Sequence, residues 1–169
     1  LAARTTPAGP GAPVVCLLDT GVNAGHPLLE GSLAPEDRHA CDPSWGLDDD
    51  GGGPGMEGHG TEMAGLALFG DLVDLLAGNA PVVLRHRLES VKILPRVGSN
   101  APELYGAITA EATSRPEVQA PTRRRVFSMA VTTDGRDRGQ PSSWSASIDA
   151  LAAGRSFDPE DHGLKYIDG

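Results

Sequence analysis

Val14–Leu18 is an uninterrupted run of apolar residues, mostly aliphatic, that stops at Asp19-Thr20-Gly21. The run is too short for a helix and ends at a turn signal, so it predicts a strand that is buried on both faces. Strands of this kind belong to parallel sheets that helices cover on both sides. The chain is therefore expected to be an α/β protein. Asp19 would lie at the carboxyl end of a central strand, where such sheets carry their functional groups.

The rest of the sequence alternates between helix-like and strand-like segments, which favours a three-layer α/β/α domain with a mainly parallel sheet. Residues 20–58 have no regular pattern and predict a long loop. The later predicted elements are a helix over 62–69, a strand near 90–94, a helix over 102–113, a strand over 126–131 and a helix from Ser142 or Ser143 to Gly154. Residues 1–13 are small and rich in Pro and Gly, and predict a flexible lead-in or linker to a domain that covers residues 14–169.

The charge of the chain excludes several classes of partner. Lys and Arg number 14 against 23 Asp and Glu, and the net charge of -9 repels phosphate backbones and anionic membrane surfaces. We therefore expect neither nucleic acid nor membrane as a partner, and no segment resembles a spanning helix. The basic cluster Arg123-Arg124-Arg125 precedes an apolar run and predicts a solvated turn that enters a strand.

The two cysteines have patterns typical of structural residues. Cys16 lies in the apolar run, where a small buried hydrophobe is expected, and Cys41 lies in a polar loop. Their spacing predicts neither a disulfide framework nor a zinc site. Together with the lack of a recognisable leader, they slightly favour a cytoplasmic location. Because the chain starts with Leu1 rather than Met, the location is left open.

Asp19-Thr20-Gly21 is compatible with three kinds of chemistry, as well as with simple capping of the turn. A dimeric aspartic peptidase of the retroviral type has the same tripeptide, but it needs two such carboxylates and an all-β domain. A phosphotransfer aspartate would be part of an Asp-x-Asp pattern, in which Gly21 occupies the second acidic position. The third kind is the aspartate of an Asp–His–Ser triad, which predicts a downstream histidine at the start of a helix.

His59 is the histidine that such a triad requires. It lies in Gly58-His59-Gly60-Thr61, at the start of the predicted helix. The flanking glycines allow a tight turn and leave room for the imidazole to face a cleft. The order of Asp19 and His59 in the chain makes both of them candidate catalytic residues.

The segments around these two residues resemble the aspartate and histidine signatures of the subtilisin (S8) family of serine peptidases. The matching sequences are Val-Val-Cys-Leu-Leu-Asp-Thr-Gly-Val and Gly-His-Gly-Thr-Glu-Met-Ala-Gly, and His26-Pro27-Leu28 also resembles the family's segment after the aspartate. The resemblance covers roughly residues 14–153. It implies a subtilisin-like fold, a polypeptide substrate, Asp19 as the residue that orients the histidine, and His59 as the general base.

Ala130-Val131-Thr132 resembles the strand that binds an extended peptide substrate in this family, and these are the predicted substrate-binding residues. The family usually has Ser-Leu-Gly there. Backbone pairing with a peptide is therefore expected to persist, whereas the shape of the specificity pocket is expected to differ.

The family's nucleophile lies in a Gly-Thr-Ser motif, and this tripeptide does not occur in residues 1–169. The oxyanion-hole asparagine also lacks a counterpart at the expected place. The resemblance thus implies the N-terminal half of a truncated peptidase domain, in which the serine lies beyond this chain and residues 1–169 alone do not hydrolyse peptides. We expect the exposed sheet edge to be covered by the missing C-terminal half or by another chain.

An alternative is a non-catalytic relative that uses the cleft to bind peptides or partner proteins. The changed residues 130–132 favour it, as does Glu62, which replaces the family's usual second histidine. The presence of both Asp19 and His59 favours the enzyme.

No cofactor and no catalytic metal are expected. Asp48-Asp49-Asp50, followed by glycines, could hold a structural calcium ion, but the spacing differs from that of an EF-hand loop, and a solvated acidic loop is the preferred interpretation. His59-x-x-Glu62 is similar to an inverted zinc motif, except that the required next histidine is Met63.

Overall fold

A parallel sheet of four strands forms the centre of the protein in a computed structural model that describes residues 1–53, 55–132 and 140–155. In chain order the strands are β1 Thr5–Thr6, β2 Val14–Asp19, β3 Leu33–Ala40, β4 Val82–Val83, β5 Arg87–Lys92 and β6 Arg125–Ser128. The helices are α1 His59–Phe69, α2 Leu72–Ala77, α3 Tyr105–Gln119 and α4 Ser143–Ala152, with short 3-10 helices at Ala2–Arg4, Pro43–Trp45 and Pro102–Leu104. The central sheet has the order β3-β5-β2-β6, and β1 pairs with β4 in a separate sheet.

Strand β2 is an inner strand of the sheet, with β5 parallel to it on one side and β6 on the other. Its side chains alternate between two apolar layers. Leu17 packs with Leu68 of α1 on one face, whereas Leu18 packs with Ala112 of α3 on the opposite face. Each fully buried leucine contributes roughly 1.5–3 kcal/mol of hydrophobic stabilisation. Helices therefore cover both faces, and the predicted α/β class with a parallel sheet is confirmed.

The helices differ from their predicted bounds mainly at one C-terminus. Helix α1 ends at Phe69, followed by Gly70 with φ 65, as the pattern indicates. Helix α3 continues beyond Thr113 and passes through Pro116. Pro116 is buried on the face that also carries Thr109 and Ala112, and this burial offsets the hydrogen bond that proline removes. Within the described ranges no helix is long and apolar enough to cross a membrane.

Two later elements sit near their predicted positions. Strand β6 ends at Ser128, so residues 129–131, which were predicted to continue it, are not part of the strand. Helix α4 is capped by Ser142, whose hydroxyl accepts from the backbone N–H of Ser145, while the Ser145 hydroxyl accepts from the backbone N–H of Ser142. Residues 133–139 and 156–169 of the predicted domain lie outside the described residues, as does Pro54.

Strand β3 corrects the prediction that residues 20–58 form only a loop. It pairs in parallel with β5 at the edge of the sheet, with an irregularity between Leu33 and Arg38. Its sequence is polar and contains Pro35, which an edge strand tolerates because one side of its backbone needs no partner. The weak apolar pattern of an edge strand explains why the sequence did not predict it.

The N-terminal segment, predicted as a flexible lead-in over 1–13, is attached to the domain in this structure. Thr5 and Thr6 pair with Val82 and Val83 in a parallel arrangement. The guanidinium of Arg4 also donates to backbone carbonyls near the end of α2. These contacts join residues 4–6 to the segment between α2 and β5.

The basic cluster is not a solvated turn, contrary to the expectation for Arg123-Arg124-Arg125. Arg124 is exposed, but the side chain of Arg125 is only 5% exposed and forms an ion pair with Glu89, whose side chain is fully buried on β5. Arg123 forms ion pairs with both Glu89 and Asp37. The sequence did not reveal this network because its members are far apart in the chain and meet only when β3, β5 and β6 align.

Both cysteines are free thiols that pack in the apolar layer beside α3. Cys16 is fully buried, as predicted, and Cys41 is partly buried, with its thiol donating to the Ile108 carbonyl at 3.8 Å. Burial raises the pKa of both thiols, that of Cys41 to about 12.

Candidate active site

Asp19 lies at the carboxyl end of β2, and its side chain is only 2% exposed. Its Oδ1 accepts a hydrogen bond from the backbone N–H of Thr20 at 2.7 Å and lies 2.8 Å from Nδ1 of His59. The Thr20 hydroxyl lies 3.1 Å from the same oxygen. Strand β2 therefore places the buried carboxylate of Asp19 at its end. The imidazole of His59 is the main polar group that contacts this carboxylate from outside its own turn.

His59 is the first residue of α1, and the glycines on either side place it there. Gly58 has φ 84, a left-handed conformation that glycine adopts without strain. At Gly60 a Cβ atom would lie 2.0 Å from the Gly21 carbonyl oxygen, so only glycine allows the helix to approach the end of β2 this closely. The Gly-His-Gly pattern thus fixes the distance between the helix N-terminus and Asp19.

The contact between the two side chains determines the tautomer of the histidine. An ionised carboxylate can only accept, so Nδ1 of His59 donates to Asp19. In the neutral imidazole the lone pair is then on Nε2, on the other side of the ring. The His59 side chain is 23% exposed, which leaves part of the ring accessible. This arrangement suits a general base whose orientation a buried carboxylate fixes.

A cavity of about 570 Å³ lies next to His59. Its lining includes Ala130, Val131 and Thr132, so the structure brings the predicted substrate-binding residues and the histidine to one cleft. Residues 130–132 lie beyond the end of β6; Val131 is partly buried, and the other two are exposed. Their role in substrate binding stays a prediction.

An aromatic pair from two helices forms another wall of this cavity. The rings of Tyr105 and Trp144 are 5.1 Å apart between centroids and tilted by 55°. Trp144 Nε1 donates to the Thr109 hydroxyl at 2.9 Å, and that hydroxyl donates to the Tyr105 carbonyl. The sequence predicted both helices but did not indicate that these rings face each other.

The carboxylates of the acidic loop 48–50 differ in exposure, so the expectation of a solvated loop fits Asp48, whose side chain is 76% exposed, but not Asp49. Asp48 pairs with Arg38 at 2.7 Å, and Asp49 is buried. Asp50 pairs with Lys92, and the hydrogen bond from this ammonium lowers the pKa of the carboxyl.

Lys92 is fully buried, and its ammonium is surrounded by oxygen atoms of the acidic loop. It donates to Asp50 and to the carbonyls of Trp45 at 3.2 Å and Asp48 at 2.8 Å. A charged side chain therefore satisfies oxygens of the kind that would bind a hard cation. Among the described residues no group of three or more His, Cys, Asp or Glu has the arrangement of a metal site.

Comparison with known proteins adds one finding to this geometry. A model of the subtilase family, Peptidase_S8, matches residues 11–163. The matched range contains the Asp19–His59 pair and residues 130–132. No curated protein and no solved structure matches the chain.

Proposed function

Because the chain belongs to the subtilase family, we propose that it contributes the aspartate and the histidine of a serine endopeptidase. The observation that supports this best is the 2.8 Å contact between His59 Nδ1 and the buried carboxylate of Asp19. The serine in this proposal comes from a segment outside residues 1–169, because these residues contain no Gly-Thr-Ser motif.

The proposed reaction gives each of the two residues one task. Asp19 keeps the imidazole in the tautomer with the proton on Nδ1 and stabilises the imidazolium. His59 takes the proton from the serine through Nε2 and returns it to the leaving amine. The hydrogen-bond donors for the tetrahedral intermediate would come from the same outside segment as the serine.

The substrate in this proposal is a polypeptide that lies along Ala130–Thr132. An extended peptide can pair with the backbone of residues 130–132, because these residues lie past the last residue of β6 and outside the part of the chain that pairs in the sheet. Side chains of the peptide would then enter the cavity walled by Tyr105 and Trp144.

The open edge of β6 supports a second part of the proposal. Among the described residues β6 pairs only with β2, and Val126 on β6 is 66% exposed. Unpaired strand edges with apolar side chains associate readily with other chains. We propose that the remaining part of the peptidase domain, or another chain, covers this edge.

The experiment uses a polypeptide that contains residues 1–169 together with the serine-bearing segment. His59→Ala should lower kcat/KM for a fluorogenic peptide by about 10⁶-fold, because the base is lost. His26→Ala changes an exposed histidine that does not line the cavity, and should leave kcat/KM unchanged. Residues 1–169 alone should not hydrolyse the peptide.

Activity that survives His59→Ala would contradict the proposal. Binding of peptides to the cleft without hydrolysis, measured by fluorescence anisotropy, would instead support the non-catalytic relative, which the divergent residues 130–132 favour.

A further inference from the structure

Asp49 is a second buried carboxylate beside the Asp19–His59 pair, with only 7% of its surface exposed. Its Oδ2 accepts from the backbone N–H of Thr61 in α1 at 2.7 Å, and its Oδ1 lies 2.5 Å from the Thr20 hydroxyl. In the part of the chain that the structure describes, no basic side chain forms an ion pair with Asp49. A buried carboxylate held only by neutral donors is costly, which indicates a role beyond packing.

The Thr20 hydroxyl joins the two carboxylates. Its oxygen accepts from the backbone N–H of Gly60 at 2.9 Å, and it lies 3.1 Å from Asp19 Oδ1 and 2.5 Å from Asp49 Oδ1. A hydroxyl has a single proton to donate. It can therefore serve only one of the two carboxylates at a time, and the shorter contact favours Asp49.

The protonation state of Asp49 decides which carboxylate receives this proton. While Asp49 is ionised, the hydroxyl donates to Asp49, and Asp19 Oδ1 keeps only the Thr20 N–H and the His59 imidazole as donors. If Asp49 is protonated, its own O–H donates to the Thr20 oxygen, and the hydroxyl turns to Asp19. Each hydrogen bond to a carboxylate stabilises the anion and weakens its attraction for a neighbouring proton donor.

We propose that Asp49 is a positioning residue that holds the Thr20 hydroxyl away from Asp19 and thereby makes the Asp19–His59 pair more basic. Its negative charge acts in the same direction, because an anion near the imidazole favours the imidazolium. The contribution of this basicity to catalysis rests on the proposed function. The basicity of His59 itself is a property of residues 1–169 and can be measured without a serine.

The other charged groups around the site are already paired or lie at its outer side. Lys92 of β5 neutralises Asp50, which also pairs with Arg96, and Arg38 of β3 pairs with Asp48. Two further carboxylates flank the start of α1, namely those of Glu57 and Glu62, of which Glu57 accepts from the Gly55 N–H. Asp49 is the buried anion that a hydroxyl connects directly to Asp19.

The test measures the pKa of His59 by NMR titration of its ring protons in the 169-residue chain. Asp49→Asn imitates the protonated carboxyl, because its oxygen can accept from Thr61 and its amide can donate to Thr20. This variant should lower the pKa of His59 by roughly half to one unit. Asp48→Asn is the matched control, since it removes a neighbouring carboxylate that is largely exposed, and it should produce a clearly smaller shift.

Thr20→Val separates the hydroxyl from the charge. If the hydroxyl serves Asp49, this variant should shift the pKa of His59 by less than half of the Asp49→Asn shift, and it should reduce the further effect of Asp49→Asn. Thr20→Ser should restore the wild-type behaviour. An Asp49→Asn shift that is absent, or that is equally large with Val at position 20, would overturn the proposal.

A measurement on the unmodified chain covers the case in which a variant does not fold. The carboxyl ¹³C resonance of Asp19 should show an inflection at the pH at which the Asp49 carboxyl titrates, and its absence would refute the proposal. Because no serine is needed, these outcomes are independent of whether the complete polypeptide hydrolyses peptides.

Discussion

Glu89 is fully buried in the middle of the central sheet, and two arginines hold its carboxylate. Arg125 binds it through two hydrogen bonds, from Nε at 2.5 Å and from Nη2 at 2.9 Å. Arg123 donates to it at 2.6 Å and to Asp37 at the same distance. The hydrogen bonds to Asp37 and Glu89 raise the pKa of Arg123, and the hydrogen bonds to Glu89 raise the pKa of Arg125. Both guanidinium groups therefore keep their charge at any pH in ordinary use.

Glu89→Leu removes the carboxylate and leaves the charge of Arg125 buried. Breaking a buried ion pair by removing one partner costs about 3–5 kcal/mol. We expect a loss near 3 kcal/mol, because Arg125 still donates to the carbonyls of Pro116 and Ala120 and Arg123 keeps Asp37. The double variant Glu89→Leu/Arg125→Leu should recover most of this loss, since two apolar side chains replace the pair.

The assay is urea unfolding at pH 7, followed by far-ultraviolet circular dichroism. The surface offers a matched pair, in which Arg115 and Glu111 are 2.5 Å apart on α3 and their side chains are 34% and 48% exposed. Glu111→Leu should change the free energy of unfolding by no more than about 0.5 kcal/mol. A loss below about 1 kcal/mol for Glu89→Leu, or a double variant less stable than the single one, would refute the reasoning.

Two further predictions concern α1 and the thiol of Cys41. Gly60→Ala should destabilise the fold by roughly 1–3 kcal/mol in a thermal melt, because its Cβ would overlap the Gly21 carbonyl. Gly65→Ala meets open space in the same helix and should stabilise by about 0.5–1 kcal/mol, so equal effects would contradict the structure. Burial raises the pKa of Cys41 to about 12, so the folded state keeps a proton that the unfolded thiol loses near pH 8.5. The stability that this group contributes is complete below pH 8.5 and is lost as the pH rises toward 12. The urea midpoint should therefore fall less steeply with pH over pH 8–10 in Cys41→Ala than in the unmodified chain. Equal slopes of midpoint against pH in the two proteins would contradict the raised pKa of Cys41.

The parts of the fold that the sequence predicted are those with local signals. The apolar run of β2 is buried on both faces, and its end is marked by Asp-Thr-Gly. Helix α1 lies between glycines that adopt special backbone conformations at both ends. In each case the residues that determine the element are neighbours in the chain, so the pattern can be read without knowing the partner elements.

The parts that the sequence did not predict depend on partners that are distant in the chain. Strand β3 can bury Asp37 because two arginines that are distant in the chain pair with it, namely Arg123, which is 86 residues away, and Arg87. Asp48, Asp49 and Asp50 are identical in type, yet one is largely exposed, one is buried beside Thr20, and one pairs with Lys92. Side chains of the same type in a row carry no signal that separates such roles.

The ammonium of Lys92 makes the stability of the acidic loop independent of the concentration of cations in solution. A metal ion bound by such oxygens would stabilise the loop by an amount that depends on the free concentration of the ion, by mass action. A lysine on β5 is attached covalently to the sheet, so its concentration at the loop is constant and dilution does not remove it. The acidic loop, which precedes His59 in the chain, is thus held on the same strand that flanks Asp19, by a cation that the chain supplies itself.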